Sequence, residues 1–273
     1  MTVQDIPLND GTTIPQLGFG VFQIDPAETQ AAVEKALEVG YRHLDTAKIY
    51  RNEGGVGAAL AASGLDRDDV FVTTKLWNSN QGYDSTLAAF DASMDRLGLE
   101  VLDLYLIHWP TPEKDLFVDT WKAFEKLKAD GRVRSIGVSN FRVQDLQRLL
   151  DEGLTVPSVN QIELHPALTQ DALRAFHAEH DIATEAWSPL AQGAVLDEQA
   201  VLDAADAHDA TPGQVVLAWH LAQGNIVFPK SVTPERIESN FGATDVSLSD
   251  DEIAAISSIN RDERVGPDPS TLN

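Results

Sequence analysis

Short apolar runs alternate along the chain with longer stretches in which apolar residues recur every three or four positions. Runs such as VFVTTKL are rich in β-branched residues and are bounded by polar residues, which predicts buried strands. Eight runs of this kind are present: Ile14–Phe22, Tyr41–Ala47, Val70–Leu76, Val101–Trp109, Val133–Phe141, Pro157–Leu164, Ile182–Leu190 and Asn225–Ser231.

The stretches between these runs carry helix signals. Residues 26–40 (PAETQAAVEKALEVG) begin with proline and acidic residues and end with glycine, as helices often do. The same amphipathic pattern recurs at 84–98, 116–131, 143–153 and 169–180, and Thr211-Pro212 opens another helix. Eight strands that alternate with helices over about 250 residues predict an α/β protein, a (β/α)8 TIM barrel, as a single domain over residues 1–273.

The two ends of the chain depart from this alternation. Asp10-Gly11 lies between two short apolar runs, which predicts an N-terminal β-hairpin ahead of the first barrel strand. The proline-rich residues 265–273 predict an irregular tail.

Composition excludes several classes of function. The 43 acidic and 20 basic residues give a net charge of −23, which disfavours nucleic acid and anionic membranes as partners. The chain has no cysteine, so disulfides, thiolate nucleophiles and zinc-thiolate sites are excluded, and no metal is expected. No signal peptide and no apolar stretch of about 18 residues is visible, so we expect a cytoplasmic protein.

Polar side chains recur where the apolar runs end. In a (β/α)8 barrel the carboxyl ends of the strands converge on one mouth, where catalytic residues lie. The polar and aromatic residues at these ends are Asp45, Lys75, His108, Ser139, Asn140, Gln161, Glu163, Trp187, Ser188, Lys230 and Ser231.

Each of these residues also has a structural interpretation. A single strand-end Asp more often caps a turn, a single Lys is usually solvated, and a single His can be a core residue. Lys75, however, is flanked by apolar residues in TTKLW, so its burial would require a counter-charge, for which Asp45 is the nearest candidate. The occurrence of Asp45, Lys75 and His108 at successive strand ends favours an active site.

Specific motifs extend over essentially the whole chain. They are GYRHLDTAKIYRNEGGVG, TTKLW, DLYLIHWP, GRVRSIGVSNF, VNQIELHP and FPKSVTPERI, in this order. On these motifs the chain resembles the aldo-keto reductase family, and most closely its prokaryotic 2,5-diketo-D-gluconate reductase-like members.

The resemblance implies a catalytic tetrad of Asp45, Tyr50, Lys75 and His108 that reduces aldehydes and ketones with NADPH. The expected partner is a small-molecule carbonyl substrate, and the expected state is a monomer. A free phenol is a poor acid at neutral pH, and a neighbouring ammonium group lowers its pKa. Tyr50 is therefore the expected general acid, and Lys75 adjusts its pKa while paired with Asp45. His108 is expected to orient the carbonyl group. Residues 51–53 are interpreted as the polar entry to the next helix.

No intact G-x-G-x-x-G motif follows a strand. Gly55 and Gly57 lie in GGVGAAL, but Leu60 stands where a final Gly or Ala is needed, so we interpret this segment as a helix start near Tyr50. The resemblance implies a different set of cofactor-binding residues: Gly20, Ser139, Asn140, Gln161, Trp187, Ser188, Leu190, Lys230, Ser231, Val232, Arg236 and Asn240.

Two of these assignments have alternatives. Trp187 is expected to stack on the nicotinamide ring, but could be an ordinary core residue. Lys230, Ser231 and Arg236 suit a ribose 2′-phosphate, which favours NADPH over NADH. The alternative is an exposed loop whose charge is offset by acidic neighbours, Glu235 and Glu238.

The expected substrate pocket is lined by Phe22, Ile49, Trp77 and Trp109, any of which could instead be core. Lys48 either attracts a substrate carboxylate or is solvated. The chain lacks the long C-terminal loop of many eukaryotic members of the family that it resembles, so the resemblance implies an open, permissive pocket. Two other classes of function remain: a lyase or aldolase with Lys75 as Schiff-base amine, and a non-enzymatic cofactor-sensing subunit.

Overall fold

A barrel of parallel strands forms the centre of the molecule. The computed structural model describes residues 3–273, so the first two residues of the predicted domain lie outside this range. Within it, eight parallel strands follow one another in chain order around the sheet, preceded by an antiparallel hairpin. The hairpin strands are β1 (Asp5–Pro7) and β2 (Thr13–Pro15), and the barrel strands are β3 (Phe19–Gly20), β4 (His43–Asp45), β5 (Phe71–Leu76), β6 (Leu102–Ile107), β7 (Val133–Ser139), β8 (Val159–Glu163), β9 (Ala183–Trp187) and β10 (Ile226–Val227).

The first and last barrel strands are joined by backbone hydrogen bonds. Leu17 pairs in parallel with Val227. The amide of Gly18 donates to the Val227 carbonyl at 2.8 Å, and the Val227 amide donates to the Gln16 carbonyl at 2.8 Å. The sheet therefore closes on itself, and the predicted (β/α)8 fold with its N-terminal hairpin is confirmed.

Helices follow the barrel strands and cover them on the outside. They are α1 (Pro26–Val39), α2 (Glu53–Ser63), α3 (Tyr83–Leu97), α4 (Phe117–Ala129), α5 (Val143–Asp151), α6 (Asp171–Glu179), α7 (Gln199–His208), α8 (Pro212–Ala222), α9 (Pro234–Phe241) and α10 (Asp250–Ser257). None of the helices in the described part of the chain is long and apolar enough to cross a membrane.

Helix α1 begins and ends at the residues that its capping signals predict. The Asp25 side chain accepts a hydrogen bond from the Ala27 amide at the start of α1, and Gly40 ends that helix with φ of 124°. Helix α10 is not among the predicted helices, although Ser249 and Glu252 form a reciprocal capping box at its start.

The hairpin plugs the amino-terminal end of the barrel. Leu8 and Ile14 pack in one buried cluster with Leu104, Val159 and Ile226, which come from three barrel strands. Because apolar side chains fill this end, the opposite end, where the strands finish, is the one open to a ligand.

The GGVGAAL segment is helix α2, as predicted, and its glycines have unequal roles. A Cβ atom at Gly57 would lie 2.3 Å from the Leu97 carbonyl oxygen at the end of α3, so glycine permits the close approach of the two helices. A Cβ atom at Gly54 would have the Arg96 carbonyl oxygen as its nearest neighbour, at 3.9 Å.

Alanine at these two positions should therefore have opposite effects. Gly57→Ala should lower the free energy of unfolding by about 1–3 kcal/mol, because the added methyl group overpacks against backbone. Gly54→Ala, the matched control on the same helix, should raise it by up to about 1 kcal/mol through helix propensity. Urea unfolding measures both, and equal effects of the two substitutions would contradict the close-approach interpretation.

Candidate active site

A buried ion pair lies at the carboxyl ends of β4 and β5. Lys75 Nζ donates to Asp45 Oδ1 at 2.7 Å, to Asp45 Oδ2 at 2.8 Å and to the Thr46 carbonyl at 3.0 Å. Burial by itself lowers the pKa of Lys75, but Asp45 and Tyr50 outweigh it, so the pKa lies above its usual value. The amine is held as an ammonium ion with its three hydrogens engaged, which does not suit a Schiff-base nucleophile.

Tyr50 lies beside this pair, on a 3₁₀ turn formed by residues 48–50 directly after β4. Lys75 Nζ is 5.2 Å from the centroid of the Tyr50 ring. Burial raises the pKa of the phenol, and the Lys75 ammonium only partly offsets that effect. The prediction that the Lys75 charge gives Tyr50 a pKa below its usual value is therefore wrong, because burial raises the pKa by more than that charge lowers it. At neutral pH the phenol keeps its proton and is able to donate it.

Buried residues after Tyr50 hold this turn in place. Asn52 Oδ1 accepts a hydrogen bond from Thr46 Oγ1 at 3.0 Å. Glu53 accepts one from Thr74 Oγ1 on β5 at 2.6 Å. These residues do lead into α2, as predicted, with Asn52 at the N-cap position and Glu53 first in the helix. Both side chains are in addition buried and tie the turn to the strands, which the prediction did not include.

His108 follows β6 directly and faces the Tyr50 side of the mouth. The centroid of its ring lies 5.8 Å from that of Tyr50 and 5.3 Å from that of Trp77. Burial, and then the Lys75 charge, hold the pKa of His108 well below its usual value. The imidazole is thus neutral at physiological pH, and its Nδ1 has no hydrogen-bond partner among residues 3–273.

A chain of hydrogen bonds joins the ends of β7, β8 and β9. Trp187 Nε1 donates to Asn140 Oδ1 at 2.8 Å, and Asn140 Nδ2 donates to Ser139 Oγ at 3.0 Å. Ser139 Oγ donates to the Gln161 carbonyl at 2.9 Å, and Gln161 Nε2 donates to Asp45 Oδ2 at 2.9 Å. The structure therefore brings these four predicted cofactor residues into one network with the ion pair.

The remaining predicted cofactor residues lie around the same mouth. Gly20 ends β3 and is in register with Asp45. The others follow β9 or β10 or lie on α9: Ser188, Leu190, Lys230, Ser231, Val232, Arg236 and Asn240. Asn140 and Ser188 both take left-handed backbone conformations, with φ of 63° and 51°, directly after their strands.

The cations near β10 have no carboxylate partner in the described part of the chain. Lys230 and Arg236 are exposed, and neither forms an ion pair within residues 3–273. Glu238, which was considered as an offset to their charge, instead pairs with Lys35 at 2.6 Å. This loop therefore presents positive charge in a strongly acidic protein.

Aromatic side chains surround Tyr50 and His108. The ring centroids of Phe22 and Tyr50 are 5.0 Å apart, and the Phe22 side chain is 54% exposed. Trp109 stacks beside His108 at 6.3 Å between ring centroids. With Trp77 they form an aromatic wall, and the exposed Ile49 precedes Tyr50 on the same turn. Lys48, on this turn, contacts the Asn80 side chain from the loop after β5.

Glu163 anchors the C-terminal tail, a role that was not predicted from the sequence. Glu163 Oε1 accepts hydrogen bonds from the amides of Val265 at 2.5 Å and Gly266 at 3.2 Å. Gly266 lies against the Trp187 indole, where a Cβ atom would come within 2.3 Å of the ring. The irregular tail is therefore fixed at the mouth, a contact between distant residues that no local pattern indicates.

Glu185 was also missed, although a signal was present. It precedes Trp187 by two residues on β9 and so lies on the same face of the strand. Its Oε2 accepts a hydrogen bond from Gln161 Nε2 at 2.7 Å. The signal was the charge of Glu185 within a predicted apolar strand, on the same face as the predicted site residue Trp187.

This geometry agrees with the comparisons to known proteins. The model of the aldo/keto reductase family matches residues 16–261. The chain belongs to the aldo/keto reductase family. The family prediction from the sequence motifs is thereby confirmed, and the match extends from the first barrel strand region to the start of the C-terminal tail.

Several known proteins are similar to this chain over almost their whole length. An aldo-keto reductase of Mycobacterium sp. (strain KMS) is 58% identical, over 98% of this chain and 97% of its own. The methylglyoxal reductase DkgA of Yersinia pestis is 52% identical, over 100% of this chain and 99% of its own. A crystal structure of a Gox0644 mutant in complex with NADPH superposes with a TM-score of 0.96 at 48% identity, covering 100% of both chains.

Proposed function

We propose that this protein is an NADPH-dependent reductase of aldehydes and ketones in which Tyr50 is the general acid. The observation that carries the proposal is the position of a protonated Tyr50 between the buried Lys75–Asp45 pair and the neutral imidazole of His108. A proton donor, a cation that stabilises its conjugate base, and a neutral hydrogen-bonding group are the parts that carbonyl reduction needs.

The side chains at the mouth fit NADPH. The half-buried indole of Trp187 offers a flat face to a nicotinamide ring, and the amides of Asn140 and Gln161 match a carboxamide in hydrogen-bonding chemistry. Lys230 and Arg236, without carboxylate partners among residues 3–273, suit a 2′-phosphate. The similar structure that contains NADPH supports the same choice.

Each residue of the tetrad then has a distinct role. Bound NADPH supplies the hydride to the carbonyl carbon. Tyr50 gives the proton of its hydroxyl to the carbonyl oxygen as negative charge develops there, and Lys75 stabilises the phenolate that remains. Asp45 keeps Lys75 charged and in place. His108, neutral at physiological pH, orients the carbonyl group through a hydrogen bond.

Small carbonyl compounds are the proposed substrates. The aromatic wall of Phe22, Trp77 and Trp109 suits compact aldehydes, ketones and keto-sugar acids. The name of the relative from Yersinia pestis, methylglyoxal reductase, adds 2-oxoaldehydes as the first compounds to assay. A net charge of −23 favours a monomer through self-repulsion.

Removal of the phenol should abolish reduction without loss of cofactor binding. For Tyr50→Phe we expect kcat with methylglyoxal to fall by about 10²–10⁴, because no other group there replaces the proton donor. The dissociation constant of NADPH, measured by calorimetry, should stay unchanged. Tyr83→Phe is the matched control, since Tyr83 is exposed at the start of α3. A Tyr50→Phe enzyme that keeps wild-type kcat would refute the proposal.

Removal of the cations near β10 should change cofactor preference. For Lys230→Ala and Arg236→Ala we expect KM for NADPH to rise about 10- to 100-fold each, the effect of one charge-assisted hydrogen bond. KM for NADH should hardly change, because NADH lacks the 2′-phosphate. Lys122→Ala, on the exposed face of α4, controls for the loss of one positive charge. A parallel rise of KM for both cofactors would count against phosphate recognition.

A further inference from the structure

Glu185 places a second carboxyl group in the barrel interior. It lies on β9, is fully buried, and is in register with Gln161 on β8. It has no part in the tetrad, and no basic residue in the described chain forms an ion pair with it. Its Oε1 has no hydrogen-bond partner among residues 3–273. A buried carboxyl group with so few partners requires an explanation.

The contact that Glu185 does make sets the orientation of Gln161. Gln161 Nε2 donates to Asp45 Oδ2 at 2.9 Å and to Glu185 Oε2 at 2.7 Å, so both hydrogens of the amide are engaged. Turning the amide over would put its oxygen against the Asp45 carboxylate and would take from Glu185 Oε2 the hydrogen bond that it accepts. The carbonyl oxygen of Gln161 is therefore left as the acceptor that a carboxamide NH₂ group needs.

The charges around Glu185 favour its neutral form. The charged groups that face it are Asp45 on β4 and Lys75 on β5, while its neighbour in register on β10 is the apolar Ile226. The single ammonium is already paired with Asp45. Burial, and then the Asp45 charge, raise the pKa of Glu185 to about 8. At neutral pH the group therefore carries a proton.

We propose that Glu185 is a positioning residue that acts as a neutral carboxylic acid: it fixes the Gln161 amide and leaves Lys75 with one carboxylate partner. This inference rests on the proposed function, in which Gln161 contacts the nicotinamide carboxamide. An ionised Glu185 would place a second negative charge near Lys75. That charge would weaken the stabilisation which Lys75 gives to the Tyr50 phenolate.

The first test measures binding without turnover. Calorimetric titration with NADP⁺ compares Glu185→Leu, which removes the acceptor, with Glu185→Gln, which keeps a neutral carbonyl of the same shape. We expect Glu185→Leu to raise the dissociation constant about five- to tenfold, and Glu185→Gln to leave it within about twofold. Thr184→Val is the control: Thr184 is on the same strand, but its hydroxyl bonds to His177 on α6.

The second test is the pH profile of kcat for the reduction of methylglyoxal. In the wild type, kcat should fall as pH rises above about 8, where Glu185 loses its proton. In Glu185→Gln this group no longer titrates, so the decline should begin at higher pH. A residue with a merely structural role would not shift the profile in this way.

Three outcomes would overturn the inference: wild-type NADP⁺ affinity in Glu185→Leu, equal damage in Glu185→Gln and Glu185→Leu, or an unchanged pH profile in Glu185→Gln. The second of these would mean that the ionised form is required. Failure of the proposed function is distinguishable, because the wild-type protein itself would then neither bind NADP⁺ nor reduce methylglyoxal.

Discussion

The buried contact between Lys75 and Asp45 is the interaction on which the rest of the site depends. A lysine in a barrel interior loses its contacts with water. For Lys75, the Asp45 carboxylate, within 2.8 Å, and the Thr46 carbonyl take the place of those water molecules. Breaking such a pair on one side costs about 3–5 kcal/mol, so each partner fixes the other. The ammonium is thereby kept charged next to the Tyr50 ring, where proton donation would leave a phenolate.

The barrel makes this arrangement possible because it places the ends of successive strands side by side. Asp45, Lys75 and His108 come from β4, β5 and β6, and Gln161 from β8 reaches back to Asp45 across the interior. The hairpin fills the other end of the barrel, and Glu163 ties the C-terminal tail against Trp187 at the mouth. In the proposed function, the protonated phenol and the neutral imidazole then face a pocket with aromatic walls.

Much of this could be predicted from the sequence because the decisive signals are local. Strand periodicity gave the barrel, and motifs at strand ends gave the family and the candidate tetrad. Glu163 and Asn52 could not be assigned in the same way, since each acts through a partner distant in sequence, the Val265 amide for Glu163 and the Val21 carbonyl for Asn52. Glu185 offered a local signal, a charge within an apolar strand, but its contact with Gln161 needed the structure. The pKa of Tyr50 needed the structure too, because its direction is a balance between burial and the Lys75 charge.

Hydride-transfer rates in an Asp45→Asn/Lys75→Met double variant test most directly whether the pair acts through its charge. Replacing both partners leaves no uncompensated charge, so the protein should fold and bind NADP⁺ nearly as the wild type does. In stopped-flow single turnovers with NADPH and methylglyoxal, we predict a rate at least about 10²-fold below the wild-type value, because the Tyr50 phenolate loses its cation. A rate close to the wild-type value would contradict this account.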